Sequence, residues 1–243
     1  MSFVITVYVP TAIVMASDSR QSVTIEGKTP DGKPLPKMET VSSDFVYKTF
    51  LLARQRVGIN CWGQDLLGGI TTESHIKRFA EEVLDDEDDV TTIPRKLIDF
   101  LRADFPQADS AFHVAGFKRT GKKSIPCVFF CHVGKDKIQR QNVAPDSEKV
   151  VYGATWGGQP DIIASLVQPT QAQPKPPILW DAMTVQDAID FAIYAVRTTI
   201  DTMRFQARPK NVGGPVDVLL ISPDELPRWI QRKEFRGEMG RNP

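Results

Sequence analysis

The stretch Met1-Ser-Phe-Val-Ile-Thr-Val-Tyr-Val-Pro10-Thr-Ala-Ile-Val-Met-Ala-Ser-Asp-Ser-Arg20 decides how this chain is read. Three readings compete for so apolar an opening: a secretory leader, a plain core strand, or a catalytic N-terminus. A leader needs a positively charged start, an apolar helix and a small-residue cleavage site. No Lys or Arg precedes Arg20, and Pro10-Thr11 interrupts the run. Val, Ile, Thr and Tyr dominate both sides, and branching at Cβ favours pleated backbone over helix. The stretch is therefore expected to form a hairpin, Ser2 to Val9 and Ala12 to Asp18, that stays in the mature protein.

Composition narrows the class. The 243 residues suit one large domain, with 41% hydrophobic and 25% charged residues, close to the average for globular proteins. Thirty basic residues balance thirty acidic ones, so the basic footprint of a nucleic-acid binder is missing. Three cysteines argue against a disulfide framework and for a reducing, cytoplasmic setting. No other apolar run is long enough for a membrane span.

Along the chain, residues 21–43 carry Gly27, Pro30, Asp31-Gly32, Pro34 and Pro36, which predicts a turn-rich surface excursion. A strand pair is expected at Phe45 to Leu52 and Arg56 to Cys61, then a helix over much of 65–84. The run Asp85-Asp86-Glu87-Asp88-Asp89 reads as a solvated loop, and a second helix runs from Thr92 to Asp104 with Pro94 in its first turn. Strands recur at Ser110 to Phe117, Ile125 to His132 and Lys137 to Val143. Pro160 opens a short helix that ends before the Pro-rich loop 169–177. Val185, Ile189, Ile193, Val196, Ile200 and Met203 recur at helical spacing, predicting a helix over 184–203 capped by Thr184. Val216 to Ile221 is a final strand. This order suggests stacked sheets with helices outside.

Several apparent motifs fail. Gly116-Phe-Lys-Arg-Thr-Gly-Lys122 resembles a phosphate loop, but Lys123 stands where Ser or Thr would hold magnesium, and a strand follows instead of a helix. Cys127, Cys131 and His132 are spaced so that, on a strand, the two thiols share one face and the imidazole takes the other, which disfavours a shared metal. His75 and His113 are isolated. No nucleophile elbow and no dinucleotide fingerprint is present. No metal or organic cofactor is expected.

Taken together, Ser2 before a strand, Ile13-Val-Met-Ala-Ser-Asp-Ser-Arg20, Tyr47-Lys-Thr-Phe-Leu-Leu52 and Cys61-Trp-Gly63 resemble the proteasome β-subunit family, whose members are N-terminal nucleophile hydrolases. The likeness points to bacterial homologues of the Anbu type. The helix phrase at 184–201 and Gly213-Gly-Pro-Val-Asp-Val-Leu-Leu-Ile-Ser222 are similar to the family's closing helix and strand. The resemblance implies an α+β fold: a four-layer α-β-β-α sandwich over residues 1–243, with two antiparallel sheets between helix layers. It implies a threonine-peptidase-like hydrolase in which Ser2, freed of Met1, is the nucleophile and its α-amine the base. Lys48 falls beside the nucleophile, Asp18 pairs with that lysine, and Gly63 falls where a backbone N–H faces an oxyanion. Met203 falls where relatives place a supporting acid, leaving Asp201 as the nearest carboxylate. Val212 replaces a supporting serine, and Thr155 offers the hydroxyl near a second. The resemblance further implies a peptide or unfolded-protein substrate and self-assembly into a ring or related homo-oligomer. A catalytically silent ring scaffold and a small-amide hydrolase on the same fold are the alternatives.

Overall fold

The Cβ-branched opening residues take the pleated form that their sterics favour. In the computed structural model, which describes residues 2–36, 38–169 and 174–234, β1 (Phe3–Val9) and β2 (Ala12–Ser17) form an antiparallel hairpin with every position buried. Both faces are covered, so the strands are apolar except at Thr6 and Ser17 instead of alternating with polar residues. Phe3, Ile5, Val7 and Val14 face a helix layer, while Tyr8, Ile13 and Met15 face a second sheet.

The remaining elements follow in chain order: β3 (Gln21–Ile25), β4 (Met38–Ser43), β5 (Thr49–Leu52), β6 (Val57–Gly63), β7 (Leu66–Leu67) and β8 (Ile70–Thr71). Helices α1 (Thr72–Glu82) and α2 (Ile93–Asp104) come next, then β9 (Ser110–Thr120), β10 (Lys123–His132), β11 (Lys137–Arg140) and β12 (Gly153–Gly158). The chain closes through α3 (Asp161–Val167), α4 (Val185–Phe205), β13 (Asp217–Ile221) and β14 (Arg228–Gln231).

Two five-stranded sheets, ordered β12-β1-β2-β13-β14 and β11-β10-β9-β6-β5, stack face to face, and their strand pairs are antiparallel. Met15, Leu219 and Ile221 meet Ala115 and Val128 between them. Helices α3 and α4 cover the outer face of the first sheet. Helices α1 and α2 cover the second, where Phe79, Leu97 and Leu101 pack with Phe112 and Val114. The architecture is the expected four-layer α-β-β-α sandwich. The buried seam of α4 is small, Ala188, Ala192, Ala195 and Thr199, with Ile189, Val196 and Met203 beside it. Ile193 and Ile200 are only partly buried against the same cluster. Thr184 and Asp187 form a reciprocal capping box at its start.

Local chemistry refined the sequence reading at four points. Residues 65–84 do not form one helix: Gly68 and Gly69 adopt φ of 60° and 81° in a tight β7-β8 turn, so α1 starts at Thr72. The 21–43 excursion is a β3-β4 hairpin, since Val23, Thr24, Ile25, Thr40 and Val41 supply strand-forming flanks to its turn residues. Asp88 of the acidic run is buried, not solvated, with Lys96 Nζ at 2.7 Å and Thr92 Oγ1 at 2.8 Å. Strands β12 and β14 are sheet members that the sequence pattern did not announce. Thr92 precedes α2 without a side-chain cap. Met1 and part of the Pro-rich loop 169–177 lie outside the described residues.

Candidate active site

At the open end of the first hairpin, the chain's first described residue is clamped from both neighbours in its sheet. Phe3 N–H donates to Asp18 Oδ1 at 2.9 Å, and Asp18 N–H to Phe3 O at 3.1 Å. On the other side Ser2 O accepts from Gln159 N–H at 2.9 Å. Gly158 stands opposite Phe3 with φ 89°, and a Cβ there would lie 1.8 Å from Ser2 O. Only glycine fits where β12 approaches Ser2 so closely.

Asp18, one residue past β2, is fully buried. Its carboxylate collects four donors: the N–H groups of Phe3, Arg20 at 3.1 Å and Gly213 at 3.0 Å, and Lys48 Nζ at 2.7 Å. Lys48 precedes β5, and its ammonium also donates to Arg20 O at 2.5 Å. A buried carboxylate is costly unless its lone pairs are filled, and here they are filled by one charge and three amides. The network ties together the start of β1, the end of β2, the residue before β5 and the loop before β13. Ser19 strengthens the last tie, its N–H donating to Gly213 O at 2.9 Å and its hydroxyl to Pro215 O at 2.7 Å.

Ser2, Lys48 and Gly63 line one cavity of about 390 Å³, together with Arg20, Asp65 and Trp62. Gly63 ends β6 at φ 95°, and a Cβ there would lie 2.1 Å from Asp109 O. The strand end can therefore bend into the cavity only as glycine. Arg20 forks onto Asp44, Nε to Oδ1 at 2.6 Å and Nη2 to Oδ2 at 2.9 Å, and Nη1 donates to Lys210 O at 2.9 Å. The Arg20 hydrogen bonds and charge hold the Asp44 carboxyl below the usual carboxylate range. Asp65 moves the opposite way: burial pushes its carboxyl up, against the opposing pull of Lys48 and of hydrogen bonds from Gln21 and Thr72.

Thr155 and Asp201 are not brought to this cavity. Thr155 sits opposite Thr6 in the β1-β12 register, with its hydroxyl 3.5 Å from His113 Nε2 between the sheets. Asp201 is exposed on α4, and Met203 is buried in the helix-covered core. Conversely, sequence reasoning passed over Arg20, Gly213 and Asp65. Arg20 was legible within the Ser17-Asp-Ser-Arg20 phrase, whereas Gly213 contributes only backbone. Cys127 and Cys131 pack in the core under α2, and burial pushes both thiols up, that of Cys131 to about 12. Among the described residues no group of three His, Cys, Asp or Glu side chains is placed to hold a metal. Nor is any helix among them long and apolar enough to cross a membrane.

No family model and no curated protein matches the sequence. Solved structures do. Anbu (Gly-1) mutant from Hyphomicrobium sp. strain MC1 superposes with TM-score 0.60 at 13% identity, covering 98% of this chain and 88% of that one. Anbu from the same strain gives TM-score 0.59 at 14% identity, covering 96% and 88%. Anbu (ancestral beta-subunit) from Yersinia bercovieri gives 0.58 at 15% identity, again covering 96% and 88%. At this level of identity the likeness is one of fold, and over nearly its whole length the chain has the fold of the Anbu structures.

Proposed function

We propose that this chain is a proteasome-like hydrolase that cleaves peptide bonds with Ser2 as an N-terminal nucleophile. The observation that carries the reading is the shared cavity: Ser2 lines it beside Lys48, whose ammonium is fastened by Asp18 Oδ1 at 2.7 Å and Arg20 O at 2.5 Å. A lysine so held brings a fixed positive charge to the cavity that Ser2 lines, which is what a weak alcohol nucleophile needs.

The steps balance without a cofactor. Removal of Met1 frees the Ser2 amine, and the Lys48 charge favours its neutral, proton-accepting form. As Ser2 Oγ bonds to the substrate carbonyl carbon, its proton passes to that amine. The carbonyl oxygen becomes an oxyanion facing the backbone at Gly63, where one N–H donor is typically worth about 3 kcal/mol in the barrier. Collapse breaks the C–N bond, and the leaving nitrogen takes the proton. The Ser2 ester is then attacked by water, the amine again acting as base, which releases the acid and regenerates the hydroxyl. The fold likeness to a protein described as an ancestral beta-subunit supports self-assembly into a ring or related homo-oligomer around such sites. The modest cysteine count is in keeping with a cytoplasmic setting.

The test is intact mass before and after exposure to a peptide epoxyketone, which reacts with a hydroxyl and a free α-amine together. A single adduct on Ser2, absent in Ser2→Ala, is the expected result. A chain lacking Met1 that stays unlabelled and hydrolyses neither peptides nor small amides overturns the reading in favour of a silent scaffold. Turnover confined to small amides moves the assignment to an amidohydrolase.

A further inference from the structure

The charges around the Ser2 cavity do not cancel. Lys48 is matched by Asp18 at 2.7 Å and Arg20 by Asp44 at 2.6 Å. Asp65 lines the same cavity and has no such match. Its carboxyl is held by two neutral groups, the Gln21 amide and the Thr72 hydroxyl, and among the described residues no cation forms an ion pair with it. Lys48 acts on it only through space, because the lysine ammonium is already taken by Asp18 and the Arg20 carbonyl. Burial penalises the charged form of this carboxyl. A partly desolvated carboxylate without a counter-ion is an unfilled site for a cation, since the pairing energy rises as water is excluded.

Position supports the same conclusion. Asp65 is two residues beyond Gly63, so one strand end carries both the backbone aimed at the oxyanion and this carboxylate. Its backbone is fixed as well: Asp65 O accepts from Thr72 N at 2.8 Å and Thr72 Oγ1 at 3.0 Å. Trp62, which lines the cavity too and is only partly buried, offers apolar surface to a methylene stem reaching for the acid. Resting on the reading of Ser2 as nucleophile, we propose that the cavity selects substrates whose residue at the attacked carbonyl is arginine or lysine, with Asp65 as the ion-pair partner of that side chain. A neutral side chain leaves the acid uncompensated, and an acidic one is repelled, so discrimination comes from rejection as much as from attraction.

The test compares aminocoumarin amides that differ only at that residue: arginine, its uncharged isostere citrulline, and glutamate. The expected kcat/KM ratio of arginine over citrulline is at least tenfold. It falls to near one in Asp65→Asn and is partly kept in Asp65→Glu, which retains the charge. Equal turnover of arginine and citrulline by the unaltered protein overturns the proposal. So does a ratio that survives Asp65→Asn, or a loss that is the same for all three substrates, which would make Asp65 a support for the site instead of a selector. Calorimetric binding of argininamide and citrullinamide to the Ser2→Ala protein, with and without Asp65→Asn, separates the two readings. Argininamide binding that depends on Asp65, found while the unaltered protein hydrolyses no amide, preserves the selectivity and sinks the peptidase reading. Equal binding of both amides, alongside turnover that needs Ser2, does the reverse.

Discussion

Lys48 Nζ lies 2.7 Å from Asp18 Oδ1, in a pair whose side chains are 5% and 0% exposed. The two residues are thirty apart in sequence, and their contact joins the end of β2 to the residue before β5. Removing one partner strands the other as a buried charge. Asp18→Asn and Lys48→Met are each expected to cost about 3–5 kcal/mol in urea unfolding. The double variant is expected to recover part of that loss, because neither charge is then left alone. Additive losses would mean that the pair is not energetically coupled. Each single variant is also expected to abolish epoxyketone labelling of Ser2.

The approach of Gly158 to Ser2 makes a second prediction. A Cβ on Gly158 would sit 1.8 Å from Ser2 O, on backbone whose φ of 89° already disfavours other residues. Gly158→Ala is expected to destabilise the fold by about 1–3 kcal/mol and to displace Ser2. Since displacement of a reacting group by about 1 Å can cost about a hundredfold in rate, labelling of Ser2 is expected to slow by at least tenfold. Unchanged labelling would show that β12 does not position the nucleophile.

His113, whose ring packs edge-on against the cavity-lining Trp62 at a centroid separation of 4.6 Å, predicts an acid sensitivity of the fold. The ring is buried between the sheets, with Thr6 Oγ1 3.2 Å from Nδ1, and burial lowers its pKa to about 3. The unfolded chain takes up this proton near pH 6.5 and the folded one does not until about pH 3. Stability contributed by neutral His113 is therefore present above pH 6.5 and lost progressively as pH falls through that window. Between pH 6.5 and 5 the loss is about 2 kcal/mol. His113→Gln, which keeps hydrogen-bonding capacity and removes the titration, is expected to flatten the urea midpoint over this range.

A second buried pair anchors the end of the described chain. Lys233 donates to Asp217 through both its backbone N–H, at 2.8 Å, and its ammonium, and the two side chains are 1% and 0% exposed. Burial depresses the lysine pKa. Lys233→Met is expected to cost about 3 kcal/mol in unfolding and to open β14 to trypsin at Arg228 before the rest of the fold is cut. Cleavage that stays concurrent with global unfolding would mean that the strand is held by its ladder alone.

The elements that were legible in the sequence are those whose signal is local. The Cβ-branched run of β1 and β2, the 3.6-residue recurrence in α4 and the Thr184 cap each act over a few residues, and each forms where expected. The helix expected over much of 65–84 is confined to Thr72–Glu82, because positive φ at both Gly68 and Gly69 makes a turn ahead of it. Strand β12 carried no pattern of its own. Gly153-Ala-Thr-Trp-Gly-Gly158 is a strand because the edge of β1 offers its hydrogen bonds.

The same division holds at the candidate site. Sequence alone determined a continuous apolar hairpin with a serine at its head, and an aspartate, a lysine and a glycine at spacings that a resemblance made meaningful. Only the tertiary structure decided that Ser2, Lys48 and Gly63 share a cavity, that Asp18 stands behind them and is saturated with donors, and that Thr155 and Asp201 lie elsewhere. It also decided that Asp65 lines the cavity with no ion-pair partner among the described residues. The reason is physical: backbone periodicity depends on neighbours along the chain, while the desolvation and pairing of a charge depend on atoms that are distant in sequence and become neighbours only when the sheets close.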